Sequence, residues 1–210
     1  MKLTVFGATG GTGRHIVDQA LEAGHHVTAV VRNPQRMPVS HPRLERVTVG
    51  IADADALVPA VRGRDAVLSA LAASTKNGSI ATTGVRNILH AMATVEVRRF
   101  VVVSAVPVGP VPEGETFVMR AVVTPIISRV FRDVYTDLAQ METGIRNSSA
   151  EWTIVRPPRL LDTPATGDYR VSIGSNVPHG HRIGRADLAH AMLSSLENID
   201  TVRQIIGVAD

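Results

Sequence analysis

The stretch Lys2-Leu3-Thr4-Val5-Phe6-Gly7-Ala8-Thr9-Gly10-Gly11-Thr12-Gly13 decides how the rest of the chain is read. A short apolar run rich in β-formers passes directly into a loop with glycines at every third position. Ile16, Val17, Ala20 and Leu21 then share one face of a helix predicted over residues 14–23, and Gly24 stops it. Working outward, Val27–Val31 is a continuous apolar run, as expected of a parallel strand buried on both faces. Further strands are expected at Glu45–Val49, Asp65–Leu71, Phe100–Ala105 and Trp152–Val155. Helices are expected over Ala54–Val61, Thr82–Met92 and Asp137–Asn147. Strands alternating with helices, without early hairpin signals, mean βαβ units and a parallel sheet.

The fold class that follows is α/β: one Rossmann-type, doubly wound parallel sheet over residues 1–210, with a small substrate lobe on its C-terminal side. Two segments break the rhythm. Residues 106–135 hold four prolines and an apolar stretch from Phe117 to Phe131, and residues 157–182 are rich in Pro, Gly, His and Thr. Both follow strands at the sheet edge where open α/β sheets bind ligands, so both are read as the substrate wall.

Composition narrows the function. The 210 residues are 44% hydrophobic and 20% charged, enough to bury a core. No apolar run approaches the roughly 18 residues of a membrane span, and the first residues lack the apolar stretch of a signal peptide. A cytoplasmic location is therefore expected. With no cysteine, disulfides, thiolate nucleophiles and Fe–S clusters are excluded. The net charge of +3 is carried by scattered arginines, and aromatics are 3%, too few to stack on single-stranded bases. No nucleic-acid partner is expected.

Gly7, Gly10 and Gly13 lie between strand and helix, the context this motif needs to bind a dinucleotide. The first allows a tight turn, the second admits a pyrophosphate to the backbone, and the third lets helix and strand pack closely. The helix N-terminus adds N–H donors and partial positive charge. The nucleotide is decided at the end of the second strand. An NAD site would carry an acid about 20 residues beyond the glycines. Here the sequence is Val30-Val31-Arg32-Asn33-Pro34-Gln35-Arg36, with no acid. Arg32 and Arg36 are placed to clamp a 2′-phosphate, so the expected cofactor is NADP(H).

Taken together, these stretches resemble an atypical short-chain dehydrogenase/reductase, in the NAD(P)-binding group that includes biliverdin reductase B (flavin reductase) and NmrA-like proteins. The resemblance is carried by Phe6-Gly7-Ala8-Thr9-Gly10-Gly11-Thr12-Gly13, Val31-Arg32, Asp65-Ala66-Val67 and Gly84-Val85-Arg86-Asn87-Ile88. It continues through Val103-Ser104-Ala105, Asp137, Met141-Glu142, Trp152-Thr153-Ile154-Val155-Arg156-Pro157-Pro158 and Ala186-Asp187-Leu188-Ala189. It implies that the first loop, with Thr9, Gly11 and Thr12, holds the pyrophosphate. Ile51 and Ala52 would flank the adenine, Ile51 standing where relatives carry an acid. Ala70, Leu71 and Ala72 would run beside the ribose and nicotinamide, and Pro157 would be a further cofactor contact. Lys76 stands where reductases of the group often have an arginine, although an exposed loop lysine is an equal reading. Ser104 matches the family's serine and would hydrogen-bond the nicotinamide amide or the substrate.

Two departures shape the expected chemistry. The Tyr–Lys pair of standard short-chain dehydrogenases is absent, because Tyr135 is followed four residues later by Ala139. Leu138 stands where relatives often carry Lys or His, and leucine cannot donate a proton. Tyr135 is then either a substrate contact or a packing residue. The apolar wall of Phe117, Val118, Met119, Val122 and Phe131, with Leu138, suits a flat acceptor, and Arg159 is placed to meet an acidic one. His179 and His181, flanking Gly180, have a spacing that makes a poor metal site, so no metal site is expected. Asp187 reads as a helix-start acid and Trp152 as core. The leading expectation is an NADPH-dependent reductase passing hydride to a planar conjugated small molecule such as a flavin, quinone or tetrapyrrole. The alternative is a non-catalytic NADP(H)-binding redox sensor acting through a protein partner.

Overall fold

The computed structural model describes residues 1–71, 79–110 and 131–210. Its strands are β1 (Lys2–Phe6), β2 (His26–Val31), β3 (Leu44–Thr48), β4 (Ala66–Ser69), β5 (Arg99–Val103), β6 (Glu151–Arg156), β7 (Arg159–Leu161), β8 (Arg170–Ile173), β9 (Arg182–Gly184) and β10 (Gln204–Ala209). The helices are α1 (Gly11–Glu22), α2 (Ala54–Val61), α3 (Ile80–Thr94), α4 (Arg132–Arg146) and α5 (Arg185–Ser194).

Eight strands form one sheet in the order β3-β2-β1-β4-β5-β6-β10-β8. Every neighbouring pair is parallel except β10–β8, which closes the edge antiparallel. Register follows the apolar runs: Leu3 to Phe6 lie opposite Val27 to Val30 on one side and Ala66 to Ser69 on the other. Leu3, Val5 and Phe6 are all fully buried, because helices cover both faces. One core joins Leu3, Val5 and Ala29 to Ile16 and Val17 of α1 and Leu188 and Met192 of α5. The other joins Phe6, Val67 and Phe100 to Leu57 of α2, Ile88 of α3 and Met141 of α4. The sheet is doubly wound, as expected.

The differences from expectation fall late in the chain. The stretch 157–182 is not one continuous wall loop. Residues 159–161 form β7, paired parallel with β9, and residues 170–173 form β8 on the main sheet. Polar residues alternating with valine and isoleucine in a Gly/Pro-rich context masked these short strands. The fourth helix begins at Arg132 rather than Asp137, since its first turn, Arg132-Asp133-Val134-Tyr135, carries little apolar periodicity. No helix among the described residues is long and apolar enough to cross a membrane.

Candidate dinucleotide and acceptor site

The glycine loop is built by contacts that exclude side chains. Gly7 has φ +74°, and a Cβ there would come within 2.7 Å of the Ala70 backbone. The end of β4 is thus pressed against the first turn of the loop, which places Ala70 and Leu71 beside it. A Cβ on Gly13 would lie 2.1 Å from the Gly7 carbonyl oxygen, so α1 can approach β1 only as glycine. Gly10 N–H donates to Gly7 O at 2.9 Å and closes the turn.

The N-terminus of α1 differs from those of the other helices. Asp53 caps α2, accepting from the Asp55 and Ala56 N–H groups. Asp137, reaching from α4, accepts from the Ala81 and Thr82 N–H groups at the start of α3. Asp133 and Asp187 lie in the first turns of α4 and α5. Among the described helices, α1 and α3 have neither an acid in the first turn nor a cap of their own, and α3 borrows the Asp137 carboxylate. A helix end such as that of α1, with its donors and dipole, suits an anion. A loop of this shape with that electropositive end fits a pyrophosphate.

Beyond β2, Arg32 and Arg36 are both exposed, on either side of a short turn in which Asn33 Oδ1 accepts from Gln35 N–H. Arg14, from the first turns of α1, donates Nη2 to the Arg36 carbonyl at 3.1 Å. Arg14 is thereby fixed against the short turn that carries Arg36. The nucleotide signal in the sequence lies at the end of β2, a window that does not include Arg14. Its place directly after Gly13 was the available signal.

The segment expected to flank the adenine has a support that the sequence reading also missed. Asn87 of α3 donates Nδ2 to both the Ile51 and Ala52 carbonyls, at 2.8 and 2.9 Å. The side chains of Ile51 and Leu71 close over Gly84, where a Cβ would meet their Cδ1 atoms at 2.9 and 3.1 Å. The structure thus brings Ile51, Ala52 and Leu71 together through one face of α3.

At the acceptor end, Ser104 is buried and donates its hydroxyl to Glu142 Oε1 at 2.6 Å. With its proton committed, Ser104 can meet a nicotinamide amide only as an acceptor. Glu142 is fully buried on α4 and also receives Arg156 Nε at 2.9 Å, Arg156 Nη2 at 2.5 Å and Arg146 Nη2 at 2.8 Å. Burial alone would raise its carboxyl pKa. The hydrogen bonds from Arg156 and Ser104 and the Arg156 charge outweigh that and hold it below the usual carboxylate range. Arg156 Nη1 in turn presses on Gly109, where a Cβ would lie 2.1 Å away. Asn176 donates Nδ2 to the Val106 and Pro110 carbonyls. Pro157 is buried, and its carbonyl accepts from Val106 N–H at 3.0 Å. The loops after β5, after β6 and before β9 are therefore tied together.

An open cleft of about 910 Å³ lies along this edge, lined by Pro107, Val108, Arg132, Tyr135, Thr136, Ala139, Gln140 and Thr143. The six helical residues make one stripe of α4 at 3.6-residue spacing. Tyr135 lies in the cleft, its ring edge-on to Phe131 with centroids 6.2 Å apart. Burial raises its phenol pKa. Leu138 corrects the sequence reading: it is 6% exposed, on the opposite stripe with Met141 and Ile145, and belongs to the core rather than the cleft lining. Arg159 is exposed at the start of β7 opposite Arg182 and is not among the described lining residues. Ala72, Lys76, Phe117 and Met119, with Val118 and Val122, lie outside the described residues. Asp187 is structural and holds a loop, accepting from Thr166 and Gly167 N–H and the Thr166 hydroxyl. Among the described residues no group of three or more His, Asp or Glu is placed to hold a metal ion.

A family model described as NAD(P)H-binding matches residues 7–199, and the chain belongs to that family. An uncharacterised chloroplastic protein of Arabidopsis thaliana is 28% identical over 179 residues, covering 80% of this chain and 62% of its own length. A 3β-hydroxysteroid dehydrogenase/Δ5→4-isomerase from Mycobacterium tuberculosis is 31% identical over 149 residues, covering 65% of this chain and 39% of its own. The chain thus spans less than two thirds of these relatives, whereas it spans 93% of an uncharacterised Bacillus subtilis protein, YwnB, at 25% identity. In fold it is similar to a short-chain dehydrogenase/reductase from Veillonella parvula in complex with NADP, with TM-score 0.83, 20% identity and 100% and 94% of the two chains covered. It is likewise similar to ChuY, an anaerobilin reductase from Escherichia coli O157:H7, with TM-score 0.81, 20% identity and 100% and 97% covered. The fold and the family together define a Rossmann-type NAD(P)H-binding protein.

Proposed function

We propose that this protein is an NADPH-dependent reductase that delivers hydride to a planar conjugated acceptor of the flavin, quinone or tetrapyrrole class. The observation that carries the reading is the cleft along α4: roomy, walled by Pro107, Val108, Tyr135 and Ala139, and without an activated proton donor among its described lining. When bound, the reduced nicotinamide supplies the hydride. The chain contributes position. The glycine loop and α1 hold the phosphates, Arg32, Arg36 and Arg14 select the 2′-phosphate, and Ser104 accepts from the amide. Tyr135 has no cation at position 139, and its phenol is pushed away from the range where it would exchange protons readily. Carbonyl reduction, which needs a protein acid, is disfavoured. A conjugated acceptor can take its proton from solvent after the hydride arrives. Arg132 at the cleft rim suits an acceptor bearing phosphate or carboxylate.

The similarity in fold to an anaerobilin reductase is consistent with this acceptor class. The test is NADPH oxidation against FMN, riboflavin, quinones and biliverdin, with NADH and Arg32→Ala as controls. Turnover that prefers NADPH, and an NADPH affinity about 10- to 100-fold weaker in the variant, are expected. Saturable NADPH binding without turnover on any acceptor would overturn the reductase reading.

A further inference from the structure

The motif glycines are Gly7, Gly10 and Gly13. Gly11 is not one of the three, and the dinucleotide spacing does not ask for glycine there. In the structure this position lies under a side chain from another helix. A Cβ on Gly11 would lie 2.6 Å from Arg185 Cδ and 2.8 Å from its Nε. The Arg185 side chain is thus laid across the first residue of α1, on the helix end that has no carboxylate of its own. Its Nη1 ends on Asp162 Oδ1 at 2.7 Å, with the arginine side chain 26% exposed and the aspartate 84% exposed.

This placement follows from topology. α1 and α5 both run antiparallel to the strands they pack on, so both begin at the carboxyl edge of the sheet. Gln19 of α1 donates to the Ala186 carbonyl of α5 at 2.9 Å and fixes the two helices against each other. Arg185 is the first residue of α5, so its stem needs to reach only across the gap between two helix N-termini.

We infer that Arg185 is a pyrophosphate-binding residue that closes over the Gly10–Gly11 turn from α5, and that Gly11 is glycine to let it lie there. The inference rests on the NAD(P)H site described above. The exposed Asp162 holds one nitrogen of the fork and orients the guanidinium. A guanidinium has five donors, so one bond to a carboxylate leaves others for a phosphate oxygen. The role differs from that of Arg32 and Arg36, which act at the 2′-phosphate: Arg185 acts on the group that NADPH and NADH share.

That difference sets the test. Wild-type protein, Arg185→Ala, Arg185→Lys and Arg32→Ala are titrated by calorimetry with NADPH, NADH and adenosine 2′-monophosphate, with thermal melting of each variant as a check on folding. Arg185→Ala is expected to weaken NADPH and NADH by the same factor, about 10- to 100-fold, and to leave adenosine 2′-monophosphate unchanged. Arg185→Lys is expected to recover part of the loss, since it keeps the charge without the fork. Arg32→Ala should show the complementary pattern, weakening NADPH and adenosine 2′-monophosphate but not NADH. Dinucleotide affinity equal to wild type in Arg185→Ala would overturn the inference while leaving the cofactor reading intact. So would a loss in Arg185→Ala that extends to adenosine 2′-monophosphate. A wild-type chain that binds neither dinucleotide would overturn both.

Discussion

Single positions in this site are constrained by atoms that can be named. Gly13 is the sharpest case, because a methyl group there would collide with a backbone carbonyl at 2.1 Å, and backbone cannot rotate away. Gly13→Ala is therefore expected to cost roughly 1–3 kcal/mol of stability, as overpacking does, and to abolish dinucleotide binding. Urea unfolding and an NADPH titration on the same sample check both. A variant with wild-type stability and affinity would mean that α1 can shift away from β1 at little cost. The same reasoning separates residues that were legible in the chain from those that were not. Gly7, Gly10 and Gly13 announce themselves by spacing, and Arg32 and Arg36 by the missing acid. Arg14, Asn87 and Arg185 carry no local pattern. Each acts on a segment distant in sequence, up to 174 residues away for Arg185 over Gly11, and only the packed helices bring them there.

Helices in this protein are begun by borrowed as well as local groups. α3 starts at Ile80 with no side-chain cap of its own, and the Asp137 carboxylate of α4 accepts from its Ala81 and Thr82 N–H groups at 2.9 Å each. The Thr82 hydroxyl returns a bond to the Asp137 carbonyl at 2.8 Å. Asp137→Ala is expected to destabilise the fold by about 1–2 kcal/mol, in line with loss of a helix cap, and to speed amide exchange in the first turn of α3. Unchanged exchange there would show that α3 is held by its apolar face alone. α4 itself illustrates why amphipathicity has to be read with the right phase. Leu138 and Tyr135 are three residues apart, yet one faces the core and the other the cleft, because the stripe is set by Met141 and Ile145. Sequence comparison at position 138 pointed to the acceptor site; the helix phase points it inward.

At the level of the whole molecule, one ionic cluster ties the sheet to the acceptor edge. Glu142 of α4 meets Ser104 after β5, Arg156 at the end of β6 and Arg146 one turn further along its own helix. Its carboxyl pKa is lowered in the folded chain, despite the burial that by itself would raise it. An unfolded glutamate titrates near 4.3, so the contribution is fully present above about that pH. It is lost as pH falls through the lower folded value. Urea midpoints should therefore drop below about pH 4.3, and the drop attributable to this group should vanish in Glu142→Gln. That variant leaves Arg156 buried without its counter-charge and is expected to lose roughly 3–5 kcal/mol at neutral pH. Arg146 is itself half exposed, so Arg146→Ala should cost no more than about 1 kcal/mol. An acid transition of equal steepness in wild type and Glu142→Gln would assign the pH dependence to other carboxylates.

The sequence by itself determined the doubly wound sheet and the dinucleotide loop, and it carries the proposal of a 2′-phosphate contact. Each of these depends on a short window, where apolar runs, glycine spacing and the absence of an acid act locally. The chain order of its strands also made the first six legible, since βαβ units leave few topologies open. What only the tertiary structure decided lies across elements. It set the return of β8 to the sheet through β10, the burial of Leu138, the Ser104–Glu142–Arg156 cluster and the arginine that crosses from α5 to α1. Side-chain phase and long-range pairing depend on how whole elements pack, and no window of the sequence contains both partners.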